Sequence, residues 1–409
     1  MDKRFVGFLI LLLTLLSVRL FIFYLTRPNY TNGEVVAIET TLLGEPNFTN
    51  NYQTFWVQAA GGQSIFVKTN ALPAFLYGDS LLISGNLTIR LLNKNNLYTL
   101  NYPKISLDNT HKNLFLAVIS FIRQKVTTLF QHSLPANLSS LMLGIVFGIK
   151  GDFSKNFLNS LRISGVMHVI AASGMNVTLV GGFVYYSFSQ VLKRQKAIVV
   201  SVLVILFYAF LAGLQASIIR ASIMAIIAFS AESLGKQKFS QYALFLTAFI
   251  MLFIWPKFLQ DIGFQLSFVS TLGILTIPRF LSFGKNPFAQ DFVTTVSAQI
   301  ATFPIIASSF GIYSLWSVLV NTLVLWTVPI LMIVGGLASI ISFIYDPFAR
   351  FILYLCIPLL AYFEEIVVFF SGFGGKAVFS DFPWQFFASY YLIVISLIIL
   401  FSQKSKKIQ

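Results

Sequence analysis

From residue 5 to residue 25 the chain is apolar almost without interruption, and the same texture returns from residue 165 onward in blocks close to the ~20 residues that cross a bilayer as helix. The expected spans are 5–25, 165–192, 197–214, 217–234, 242–258, 262–280, 292–310, 317–344, 351–370 and 384–401, several with Gly or Pro inside. Between residues 29 and 107 the pattern changes to short alternating runs (34–41, 54–59, 64–69, 80–89 and 97–102), which predict five strands separated by Asn, Gly and Pro. Residues 113–131 carry an apolar face of Phe115, Val118, Ile119, Ile122, Val126 and Leu129, interrupted by Arg123, Gln124, Lys125 and Thr128, and predict a helix along a membrane surface. Residues 141–149 are apolar but too short to cross, and read as a half-span or re-entrant element, with Gly144 and Gly148 spaced for close helix approach.

Composition fixes the environment. At 56% hydrophobic and 10% charged residues, with a mean hydropathy of +0.79, the chain lies far from the soluble globular balance. The expected fold is mainly α, a polytopic helical membrane protein with broken and re-entrant helices, plus a small extracytoplasmic, OB-fold-like β-barrel near the N-terminus. Gly61-Gly62 and Tyr77-Gly78-Asp79 supply its turns, and a porin-like barrel is excluded. The first span follows Asp2-Lys3-Arg4 and reads as retained, with its N-terminus in the cytoplasm.

One crossing per span places the basic clusters Lys193-Arg194-Gln195-Lys196, Lys236 with Lys238, Arg279 with Lys285, Arg350 and Lys404 to Lys407 in the cytoplasm, together with both termini. The barrel, the Trp255-Pro256 corner, the Gly311 turn and the Gly372-Phe373-Gly374-Gly375 loop then fall outside. The division is 1–28, an N-terminal transmembrane helix; 29–108, the extracytoplasmic β domain; 109–345, a helical membrane domain; and 346–409, C-terminal transmembrane helices with a basic tail. The net charge of +14 suits an anionic partner in sign, although the positive-inside bias alone enriches Lys and Arg.

Several reaction classes find no support. The single Cys356, in an apolar run, reads as packing and forms no internal disulfide. Three histidines (His111, His132, His168) do not make a two-metal hydrolase, so no metal or cofactor is expected. Ser173 lacks a nucleophile elbow, and Gly372 to Lys376 lacks the spacing and hydroxyl of a phosphate loop. The chain is expected not to be an enzyme.

The informative residues are polar groups inside apolar spans. His168, Ser173, Gly174 and Asn176 interrupt the span at 165–192, and Gln215, Arg220, Gln265, Ser267, Gln299 and Asn321 follow in others. If they converge they line a wet groove, with Gly165, Gly174, Gly263 and Pro304 breaking helices there and leaving backbone donors free. Each also has a plainer reading. His168 is then a satisfied interhelical residue, Ser173-Gly174 a packing pair, and Arg220 the partner of Glu232 or Asp261 instead of a phosphate.

The run Leu161-Arg162-Ile163-Ser164-Gly165, leading into His168 and Ala172-Ser173-Gly174-Met175-Asn176-Val177, resembles the signature of the ComEC/Rec2 competence family of DNA-uptake membrane proteins. Three further blocks agree in order: Gly213 to Ala221, Asp261 to Phe268, and Gln299 to Pro304 running on to Phe310-Gly311 and Asn321. The resemblance implies a channel passing single-stranded DNA across the cytoplasmic membrane in natural transformation, with Arg162, His168, Ser173, Gly174, Asn176, Gln215, Arg220, Gln265, Ser267, Gln299 and Asn321 along the DNA pathway. It also implies a cytosolic helicase or ATPase motor, an extracytoplasmic DNA receptor and a separate nuclease. Two departures stand out: Asn176 occupies a position where relatives commonly have a second histidine, and the family's C-terminal metallo-β-lactamase-like domain is not expected here. The competing function is an ion-coupled transporter of a small or lipid-linked anion; a membrane scaffold is a third.

Overall fold

The computed structural model describes residues 3–49, 51–92, 95–108, 113–149, 151–170, 173–233, 240–280, 287–379 and 383–406. Asp2, His111, Ala172, Lys236, Lys238, Lys285 and Lys407, all named above, lie outside them. The chain forms two compact units, Met1–Thr128 with Phe249–Phe258, and Leu129–Ala248 with Leu259–Gln409.

The first unit begins with helix α1 (Lys3–Leu25) and holds strands β1 (Val35–Thr41), β2 (Asn47–Thr49), β3 (Tyr52–Gln58), β4 (Ser64–Asn70), β5 (Ser80–Leu92), β6 (Asn95–Asn101) and β7 (Lys104–Leu107). All five expected strands are present; β2 and β7, of three and four residues, are too short to show a period. The strand order is β1-β5-β6-β4-β3-β2, with β7 also on β5, and β4 runs parallel to β6 in an otherwise antiparallel sheet. Alternation decides the inside: Val36 and Ile38, Phe55 and Val57, Ile65 and Val67, Leu81, Ile83 and Leu87, and Leu100 point into one core.

Helix α2 (Leu114–Ser133) matches the expected helix. The buried stripe is Leu116, Ile119, Arg123, Val126, Leu129 and Phe130, while Phe115 and Val118 are exposed. Arg123 sits within the stripe because Glu45 meets it at 2.9 Å and the Tyr77 ring lies beneath its guanidinium at 4.6 Å. Burial raises the Tyr77 phenol above its ordinary value, so this ring stays neutral beside the ion pair.

The second unit is helical. Its core element is α3 (Ala136–Phe147), in which every residue from Leu138 to Phe147 is buried. At ~1.5 Å per residue it is about 18 Å long, too short to cross a bilayer, as expected of a half-span. Close approach explains Gly144, where a Cβ would lie 2.5 Å from Ile170 Cγ2. Gly148 instead ends α3, in the left-handed conformation at φ 63°. In chain order the unit continues with α4 (Lys155–Ser164), α5 (Met167–Ile170), α6 (Gly174–Ser189), α7 (Arg194–Leu211), α8 (Ala216–Ser233), α9 (Ser240–Ile254, its last turns in the first unit), α10 (Ile262–Thr276), α11 (Pro287–Phe310), α12 (Ser317–Val324), α13 (Thr327–Ile341), α14 (Asp346–Leu355), α15 (Ile357–Gly372) and α16 (Trp384–Lys406).

Among the described residues, 194–211 and 289–310 are helical, long and apolar enough to cross a membrane singly. The pairs α12 with α13, bent by 46°, and α14 with α15, bent by 42°, reach that length only as broken spans. The expected spans 165–192, 317–344 and 351–370 are each interrupted, in keeping with the broken helices expected from the Gly and Pro within several spans. Pro304, expected to break a helix, lies within the continuous α11, and Gly263 sits in the first turn of α10 behind the Asp261 cap. The Gly311 turn and the 372–375 loop meet: β8 (Ile312–Ser314) pairs antiparallel with β9 (Lys376–Val378).

Candidate functional site

The site grows from a helix that stops in the protein interior. The last carbonyls of α3 have no partners within the helix, and a buried end must find donors elsewhere. Three side chains from separate elements supply them. Asn176 Nδ2 donates to Ile145 O at 2.7 Å, Tyr208 Oη to Val146 O at 2.8 Å, and Gln215 Nε2 to Gly148 O at 3.5 Å. Ser173 Oγ donates to Asn176 Oδ1 at 3.0 Å, which fixes the amide with its NH2 toward α3. Asn176 and Gln215, candidates for a pathway, are thus tied to the end of α3. Tyr208 was not singled out from the sequence; its only signal is that a phenol within an apolar helix needs a partner.

The segment carrying Asn176 is helix, break, helix. Gly165 ends α4 at φ 76°, and a Cβ there would lie 2.6 Å from Ser317 Cβ, so this approach requires glycine. The single turn α5 carries His168, and α6 starts at Gly174. His168 is exposed on this turn.

Arg220 of α8 faces the start of α6. Its Nε donates to Ser267 Oγ at 2.6 Å, its Nη1 to Met224 Sδ at 3.3 Å, and Phe268 lies 6.0 Å from the guanidinium. Its Nη2 would stand 2.8 Å from a Cβ at Gly174, so the absence of a side chain there admits the guanidinium. Arg220 is 8% exposed, and no carboxylate among the described residues pairs with it. Asp261 caps Phe264 N at 2.7 Å. Glu232 is twelve positions along the same helix, about 18 Å away. A buried cation beside the positive end of a helix is electrostatically unfavourable without an anion.

A second polar group surrounds Gly165. Tyr313 Oη donates to Gln299 Oε1 at 2.9 Å, and Ser317 lies beside the same phenol. Ser314 Oγ and Asn321 Oδ1 are buried without a hydrogen-bond partner; Ser317 and Asn321, four apart on α12, share one face. The structure thus gathers Ser173, Gly174, Asn176, Gln215, Arg220 and Ser267 around α3 and the start of α6, and Gln299 and Asn321 into the second group. Gln265 turns back onto Leu259 O at 2.9 Å, and Arg162 is exposed on α4 outside both groups.

Residues 145–404, more than half the chain, match the family described as Competence protein. The chain belongs to the competence protein family. Every residue of both polar groups lies in the matched stretch, and the β domain lies outside it. The chain is similar to ComE operon protein 3 of Bacillus subtilis (strain 168), 26% identical over 245 residues, covering 59% of this chain and 31% of that protein. It is also 29% identical over 178 residues to an uncharacterized protein of Aquifex aeolicus (strain VF5), covering 42% of this chain and 41% of that one. The matches thus span less than half of either relative. No solved structure matches.

Proposed function

We propose that this competence-family protein is a multi-pass channel of the cytoplasmic membrane that passes single-stranded DNA during natural transformation. The observation that carries this reading is Arg220: a buried cation without a carboxylate partner among the described residues, set against the first residue of α6, is arranged to meet a phosphate. The unpartnered oxygens of Ser314 and Asn321 add polar capacity in the same unit. The reading keeps both termini in the cytoplasm and the β domain outside. Two pairings agree with that sidedness. The Gly311 turn joins the 372–375 loop through β8 and β9, and Lys257, next to the Trp255-Pro256 corner, bonds Gln58 of the β domain. The β domain, a mixed sheet around one core, suits a partly open barrel of oligonucleotide-binding type. With no phosphate loop in the sequence, the strand is drawn in by a cytosolic motor, received from an external DNA receptor, and its complement removed by a separate nuclease; this chain itself catalyses nothing.

The test is uptake of labelled oligothymidylate into vesicles holding the full chain, with a cytosolic helicase and ATP supplied. Arg220→Ala is expected to lower uptake at least tenfold, Arg220→Lys less, and His168→Ala to a smaller degree. A wild-type protein that passes no DNA under these conditions sinks the channel. One feature favours the second reading, an ion-coupled transporter of a small or lipid-linked anion: Arg220 is a single cation rather than a row of them. Arg220-dependent uptake of a small phosphorylated solute without DNA uptake would establish that reading.

A further inference from the structure

The outward face of β3 and β4 is unlike a solvated sheet surface. Inward residues alternate with Tyr52, Thr54, Trp56 and Gln58 on β3, and with Ser64, Phe66 and Lys68 on β4. The register sets Trp56 opposite Phe66 and Thr54 opposite Lys68, and the Trp56 and Phe66 rings meet edge to face at 5.2 Å. Lys68 Nζ lies 4.1 Å from the Tyr52 ring and 5.9 Å from the Tyr102 ring. Tyr102 adopts φ 49°, a conformation that side chains other than glycine rarely take. Its amide bonds Lys68 O at 2.7 Å, and this holds the ring beside the lysine. Trp56 is 54% and Tyr102 55% exposed.

The face has a direction. At one end Gln58 takes the bond from Lys257, and the turn after β3 lies against α1, where a Cβ on Gly62 would touch Phe23 and Lys257. Aromatic rings and lysines therefore run from Tyr102, Lys68 and Tyr52 through Trp56 and Phe66 to Lys257, whose Nζ lies 5.8 Å from the Phe258 ring. From Asn47 to Asn101 the sequence carries a single carboxylate, Asp79, and that one accepts from Leu76 N at 2.7 Å in its own turn, away from β3 and β4.

We propose that this face is a track for single-stranded nucleic acid, on which unstacked bases lie against Tyr102, Tyr52 and Trp56 while Lys68 and Lys257 meet the phosphates. Exposed rings interleaved with cations, on strands free of carboxylates, are the chemistry that holds a strand without reading its sequence. A duplex, with its bases already stacked, has no use for the rings. The proposal deepens the DNA-channel reading and rests on it for biological purpose, although binding to the face can be measured without transport.

The experiment uses the purified full chain in detergent and fluorescently labelled oligothymidylate, with a duplex of equal length as comparison. Wild type is expected to prefer the single strand. Trp56→Ala and Tyr102→Ala should each weaken its binding about tenfold, near the stacking contribution of one base. Trp56→Phe, which keeps a ring, should stay within about threefold. Lys68→Gln should weaken binding and flatten its salt dependence. Binding in detergent is read without transport, so weaker single-strand binding by Trp56→Ala in a chain whose vesicles take up no DNA would keep the track and sink the channel. The proposal is overturned if Trp56→Ala and Tyr102→Ala bind as wild type, if the duplex binds as well as the single strand, or if the same variants weaken adsorption to anionic phospholipid vesicles and not to DNA.

Discussion

Asn176 shows how one residue is read differently once its neighbours are known. In sequence it is a polar interruption in a membrane-length run; in the fold it supplies a donor to a buried carbonyl 31 positions earlier and accepts from Ser173. Asn176→Leu leaves Ile145 O unpaired and should cost about 2 kcal/mol, seen as a lower unfolding midpoint in detergent. Asn176→His supplies a ring N–H at this position and should recover most of that loss. Equal midpoints for the two variants would show that the bond to α3 is not stabilising. Arg220 is the contrary case: its insertion cost is legible in the sequence, but only the fold shows that no carboxylate among the described residues pairs with it.

Among elements, α2 carries the clearest lesson. It is apolar on more than one side, so periodicity selected Phe115 and Val118, whereas packing buried Leu116 and Arg123. The preference is settled by Glu45, 78 positions away, because an arginine with a carboxylate and an aromatic ring around it can occupy a buried stripe. Arg123→Met should cost about 2 kcal/mol, and Glu45→Gln less, since Glu45 is the more exposed partner and can turn to water. Denaturant titration of the full chain measures both. The β8 and β9 pairing yields a second expectation at this scale. In a Cys356→Ala background, Ile312→Cys with Val378→Cys, directly opposite in register, should cross-link on mild oxidation. Absence of a cross-link while both thiols remain reactive would contradict the pairing.

For the molecule in its membrane the expectation concerns sidedness. In the same cysteine-free background, Ser64→Cys on β4 should react with an impermeant maleimide on intact cells. Gln195→Cys, in the first turn of α7, should react only after permeabilisation. The reverse pattern, or reaction at both sites, would reject the proposed orientation and with it the β domain as the place where DNA arrives.

Element types, all five longer strands to within three residues at their ends, the shortness of α3 and the polar interruptions of apolar runs were legible in the chain, because these depend on composition, period and local turn chemistry. Which helices break, which face of α2 is buried and which polar groups meet became fixed only on folding. Those outcomes depend on partners tens to hundreds of residues away: Ile145 for Asn176, Ser267 for Arg220, Ser317 for Gly165. A buried donor, acceptor or charge takes its role from the group facing it, and chain spacing does not specify that group.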